Sequence, residues 1–144
     1  MRCFIPLRWA DLSADAPAAF HAGARAFADT AALRAVYPEA DQEEREFVAC
    51  LAAGDVSALQ ADEVPRRVVA AADTTGVEPA KADLVCEVVL SEAIGWHDVV
   101  ALLIDEAAAE DTVRRASRDQ AALDALEDYD LLWYDIAERA HLAR

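Results

Sequence analysis

A chain of 144 residues with 28 acids against 13 bases carries a formal charge of −15, and 56% of its residues are hydrophobic. That length fits a single globular domain, residues 1–144, able to bury one core without disulfides or metal to staple it, and the apolar fraction excludes a disordered acidic tail. The charge repels phosphate backbones, which argues against direct nucleic-acid binding.

The opening MRCFIPLRW has one arginine and a very short apolar run before Asp11. This is too little for a secretory segment or a membrane span, so no membrane association and a cytoplasmic location are expected. CFIPL, residues 3–7, reads as a first strand that Pro6, lacking a ladder donor, places at an edge or ends early. Residues 9–20 hold a short helix broken near Pro17. RAFAD, residues 25–29, reads as another short strand, after which Thr30 caps a helix that must stop by Tyr37 because Pro38 follows. Asp41 followed three residues later by Glu44 is a capping-box pattern, and Phe47, Val48 and Leu51 are predicted to carry that helix's core-facing stripe.

Beyond Pro65 the pattern changes. RRVVAAAD, residues 66–73, and DVVALLID, residues 98–105, are continuous apolar runs bounded by charge, as strands covered on both faces read. LVCEVVL, residues 84–90, alternates around Glu87 as a strand with one partly wet face. A helix then runs to about Arg118, and a last helix is predicted over 128–142. The expected fold is α+β, a mixed or antiparallel sheet of four to five strands with helices packed on it.

Chemistry-bearing residues are sparse. Cys3, Cys50 and Cys86 sit far apart in apolar segments, the pattern of buried reduced thiols. His21, His97 and His141 have no metal-binding spacing, so no metal site and no cofactor are expected. Asp73 and Asp105 each end a strand; if those strands run parallel, the two carboxylates meet at one sheet edge and suit magnesium and phosphoryl or hydrolytic chemistry. Yet the four glycines stand alone and form no phosphate-binding loop. His97, between Trp96 and Asp98, has the make-up of a general base but lacks a nucleophile with the right glycine spacing around it. On the last helix, Leu131 and Tyr134 extend the apolar surface beyond one stripe and, with Asp130, mark a candidate partner-binding or homodimer patch.

The succession RCFIPL, AFADTAALRAVYP, DQEEREFVACLAA, PRRVVAAAD, VVALLIDEAAAEDTVRRA and DLLWYDIAE resembles a family of small actinobacterial proteins of unknown function. The resemblance covers most of the chain and implies no activity, cofactor or catalytic residue. The resemblance implies that members often carry histidine and glutamate where this chain has Tyr129 and Asp130, so it brings no histidine-based role to these positions.

Two functions of different class remain. One is a non-enzymatic interaction or regulatory module that binds a basic protein partner: over residues 73–111 ten acids face only Lys81, a local net of −9. The other is a small magnesium-dependent enzyme using Asp73 and Asp105.

Overall fold

In a computed structural model, which describes residues 1–143, the backbone of β1 (Arg2–Leu7) forms the middle of a sheet of seven strands. The others are β2 (Arg25–Ala28), β3 (Val68–Asp73), β4 (Val77–Pro79), β5 (Glu87–Leu90), β6 (Val99–Asp105) and β7 (Leu131–Asp135). Their order across the sheet is β4-β5-β2-β1-β3-β6-β7, and every neighbouring pair is antiparallel. The helices are α1 (Ala31–Val36), α2 (Gln42–Leu59), α3 (Glu110–Ala116), α4 (Gln120–Ala125) and α5 (Arg139–Leu142). The α+β class stands, while the expected four to five strands become seven.

The two extra strands have separate causes. β4 is three residues long, includes Glu78 and Pro79, and carries no apolar run to announce it. β7 occupies the stretch that reads as a last helix, because LLWY flanked by Tyr129 and Ile136 satisfies helical spacing as well as strand alternation. Position decides: β6 presents a free edge, and five residues of β7 pair with it from Ala101↔Asp135 to Asp105↔Leu131. Aromatic Trp133 and Tyr134 suit a pleated surface. The helix that remains is α5, one turn long, preceded by a short 3-10 turn over Ile136–Glu138.

Pro6 does not place β1 at an edge. It pairs with Val69 of β3 but lies beyond the last β1–β2 pair, Phe4↔Phe27 and Cys3↔Ala28, so its missing N–H faces no partner. In place of a broken helix over 9–20 there are two 3-10 turns, Trp9–Ser13 and Ala18–Phe20. Both lie on the first face of the sheet, where Leu12 and Phe20 join Ile5, Leu7, Val68, Leu102 and Ile104 in a buried cluster. Trp96 holds this cover in place. Its indole Nε1 donates to the Ala14 carbonyl at 2.8 Å, its ring meets Phe20 edge-on at 4.7 Å, and the Arg139 guanidinium stacks on it at 4.3 Å.

On the opposite face lies α2, started as expected by Asp41, whose Oδ1 accepts from the Glu44 amide at 2.8 Å. Its buried stripe differs from the predicted one. Ala49, Cys50, Ala53, Gly54 and Ser57 are buried toward the sheet, whereas Phe47 is 62% exposed. Phe4, Phe27 and Val69 already supply bulk from the sheet, so a stripe of small residues lets the helix lie close. Phe27 and Val69, both fully buried, each contribute about 1.5–3 kcal/mol by leaving water. Phe47 and Leu59 of α2 are left to look outward, while Val48 and Val56 flank the buried stripe. α3 and α4 close the end of α2 through Ala58, Ala109, Val113, Ala116 and Leu126.

Candidate functional site

Asp73 and Asp105 do not meet. β3 and β6 run antiparallel, with Val68 opposite Ile104, so the two acids lie at opposite ends of the sheet. Each has its own arginine: Asp73 receives Arg2 Nε at 2.7 Å, and Asp105 receives Arg67 Nη2 at 2.7 Å. The parallel arrangement that a shared magnesium site requires is therefore overturned, and among the described residues no three His, Cys, Asp or Glu side chains gather as a metal site. His97 sits in a 3-10 turn, Trp96–Asp98, with its side chain 84% exposed and only Asp98 beside it at 3.4 Å. No nucleophile contacts it in this geometry, and it reads as a loop residue at the start of β6.

Five of the ten acids expected to act as a field over residues 73–111 are paired with arginines. Asp73 pairs with Arg2, Glu87 with Arg25, Asp105 with Arg67, Glu110 with Arg66 and Asp111 with Arg114. Glu78, Asp83, Glu92 and Glu106 are in no ion pair among the described residues, and a second uncompensated stretch lies in another place. Residues 119–138 carry seven acids and no lysine or arginine, and none of those acids takes part in an ion pair among the described residues. Glu43, Glu44 and Glu46 in the first turns of α2 likewise form no ion pair among the described residues.

Between these two acidic stretches runs a groove of about 380 Å³, walled by α2 on one side and β7 on the other. Its floor is Cys50, Leu103 and Leu131; Phe47 and Leu51 of α2 and Trp133 of β7 form its sides. Trp133 pairs across the ladder with Leu103 and stands 63% exposed, and Phe47, which lines the same groove, is 62% exposed. Two large apolar side chains this open in one groove are what a binding surface leaves uncovered. Glu127 and Asp130 line the same groove and give its rim negative charge. The Cys50 thiol at its base is pushed up to about 11 by burial, so it is a neutral packing group and not a nucleophile.

The candidate partner residues thus divide. Leu131 and Asp130 line the groove, but Tyr134 projects to the other face of the sheet, where it packs against the first cluster. Leu131 and Tyr134 are each half-buried against different cores, so they form no common patch for a second copy. Phe47 and Trp133, the exposed aromatics of the groove, are not among the partner residues expected from the sequence, which assigns Phe47 to the core-facing stripe of α2. The signal that could have found them is the alanine-rich opposite stripe of α2, which leaves Phe47 no sheet to pack on.

The groove is anchored from below by Arg67. Its guanidinium bonds Asp105 through both Nε and Nη2 and reaches the Tyr129 carbonyl at 3.1 Å, so the turn leading into β7 is tied to the C-terminal end of β6. Leu131 packs over the same place, with its Cδ1 3.6 Å from the point a side chain on Gly54 would occupy.

Among the described residues no helix is long and apolar enough to cross a membrane. No curated protein and no solved structure matches the chain. A family model described as a family of unknown function, DUF6912, matches residues 1–143, and the chain belongs to that family.

Proposed function

We propose that this chain is a non-enzymatic interaction module that binds a basic protein partner across the groove between α2 and β7. The observation that carries the reading is that exposed Phe47 and Trp133 line one groove whose rim acids are in no ion pair among the described residues. Aromatic anchors supply contact area at little entropic cost, and the surrounding negative potential steers a cationic partner and sets its orientation. Asp73, Asp105 and His97 take no part; two of them are held by arginines and the third is a surface loop residue.

Affinity capture from a lysate of the source organism, with the wild-type chain and Trp133→Ala side by side, tests this. A stoichiometric basic protein should be retained at low salt by the wild type, released at high salt, and lost from the variant. Retention that ignores both salt and Trp133 would refute the proposal.

A further inference from the structure

Resting on that reading, we infer that the partner docks as an extended segment that adds an eighth strand to the sheet at the outer edge of β7. β7 ends the strand order, so one side of its backbone has no strand beside it. The Asp135 amide donates to Glu138 Oε2 at 2.9 Å and so points away from β6. By strand alternation, the N–H and C=O groups of Leu131 and Trp133 point the same way. Neither residue's backbone joins a turn, cap or side-chain hydrogen bond among the described residues.

The other edge differs. β4 is three residues long and ends in Pro79, the usual protection of an edge strand. β7 has five residues, no proline and no lysine, and its side chains Leu131 and Trp133 face the groove beside Phe47. Backbone groups for a ladder and a pocket for alternate side chains lie together there, which is the requirement of recognition by strand addition.

Charge selects the occupant. Asp130 and Asp135 bracket β7. A second copy pairing antiparallel about Trp133 would set each chain's Asp135 opposite the other's Leu131, one residue from its Asp130, and so gather acids of both chains at each end of the pair, which like-charge repulsion disfavours. The segment that fits has alternating apolar, β-branched residues, one of them over Trp133, with lysine or arginine at each flank.

The test uses the full chain and a random peptide library. Enriched peptides are resynthesised with N-methyl groups on alternate backbone nitrogens, in each of the two possible phases, and measured against wild type and Trp133→Ala. Enriched sequences should carry basic flanks around an alternating apolar centre. One phase of methylation should weaken binding by about tenfold or more through loss of ladder bonds, the other should be tolerated, and Trp133→Ala should weaken both. Basic peptides that bind equally in both phases, or that enrich with helical spacing, would overturn strand addition while leaving the basic-partner reading intact. Enrichment of sequences without basic residues, or none at all, would overturn both. A concentration-dependent dimer in sedimentation that Trp133→Ala abolishes would assign the edge to a second copy instead.

Discussion

Arg67 and Asp105 form an ion pair closed to solvent, with side-chain exposures of 1% and 0%. The carboxylate also accepts from the Arg67 amide at 2.8 Å, so the pair fixes the start of β3 to the end of β6 as well as neutralising two buried charges. Removing one partner leaves the other charge uncompensated in the interior. Asp105→Ala is expected to cost about 3–5 kcal/mol, whereas replacing both residues with apolar ones of similar volume should cost much less. Denaturant unfolding of the single and double variants checks this, and a loss below about 1 kcal/mol for Asp105→Ala would show that water reaches the pair.

Ser57 joins α2 to two strands at once. Its hydroxyl donates to the Leu7 carbonyl at 2.7 Å and accepts from the Val68 amide at 2.8 Å, with no exposed surface. Ser57→Ala keeps the volume nearly constant but orphans both groups, for an expected loss of about 1–3 kcal/mol. The measurement is the unfolding midpoint at constant denaturant slope.

Two surface carboxylates are expected to respond to pH with opposite signs. The hydrogen bond from Arg2 holds the Asp73 carboxyl below the usual range. Its small contribution is present above the unfolded-state pKa and is lost as pH falls through the folded one, so Asp73→Asn should be slightly destabilising at neutral pH only. Asp55 is pushed up, chiefly by desolvation and against the pull of Arg67. Its folded state penalises the ionised form, a cost fully present above the folded pKa and absent below the unfolded one. Asp55→Asn should therefore stabilise at neutral pH, with the gain vanishing in acid. Thermal melts of both variants across pH decide it; a gain for Asp55→Asn that persists unchanged in acid would contradict the assignment.

Burial raises all three thiols, Cys3 and Cys50 to about 11, and all are free. At neutral pH a thiol reagent should label none of them in the native chain and all three after denaturation, at a rate that follows unfolding. Fast native labelling of Cys50 would mean that the groove opens to its floor.

Much of the sheet was legible because continuous apolar runs such as VVALLID have one plausible home, between two covered faces. Caps at Thr30 and Asp41 were legible because a side-chain acceptor three residues before its amide is a local relation. Non-local relations were not. Strand direction separates Asp73 from Asp105, and nothing in the residues near either acid reports it. The arginines that pair with five of the ten acids of residues 73–111 are Arg2, Arg25, Arg66, Arg67 and Arg114, mostly far away in sequence. β7 was hidden by a coincidence of periods, and the groove by the weak hydrophobicity of the alanines that face the sheet, which made Phe47 look like core. Asp130 and Leu131 were found for a different reason than the one that places them at the groove: they belong to an edge strand, not to a helix.

The most direct test of a partner seated between α2 and β7 is hydrogen–deuterium exchange of the chain alone and with its captured basic partner. Residues 131–135 and the peptide covering 43–51 should gain protection together, while the edge at 77–79 exchanges as before. Protection confined to the other face of the sheet, or to the β4 edge, would contradict the assignment of the binding surface to Phe47 and Trp133.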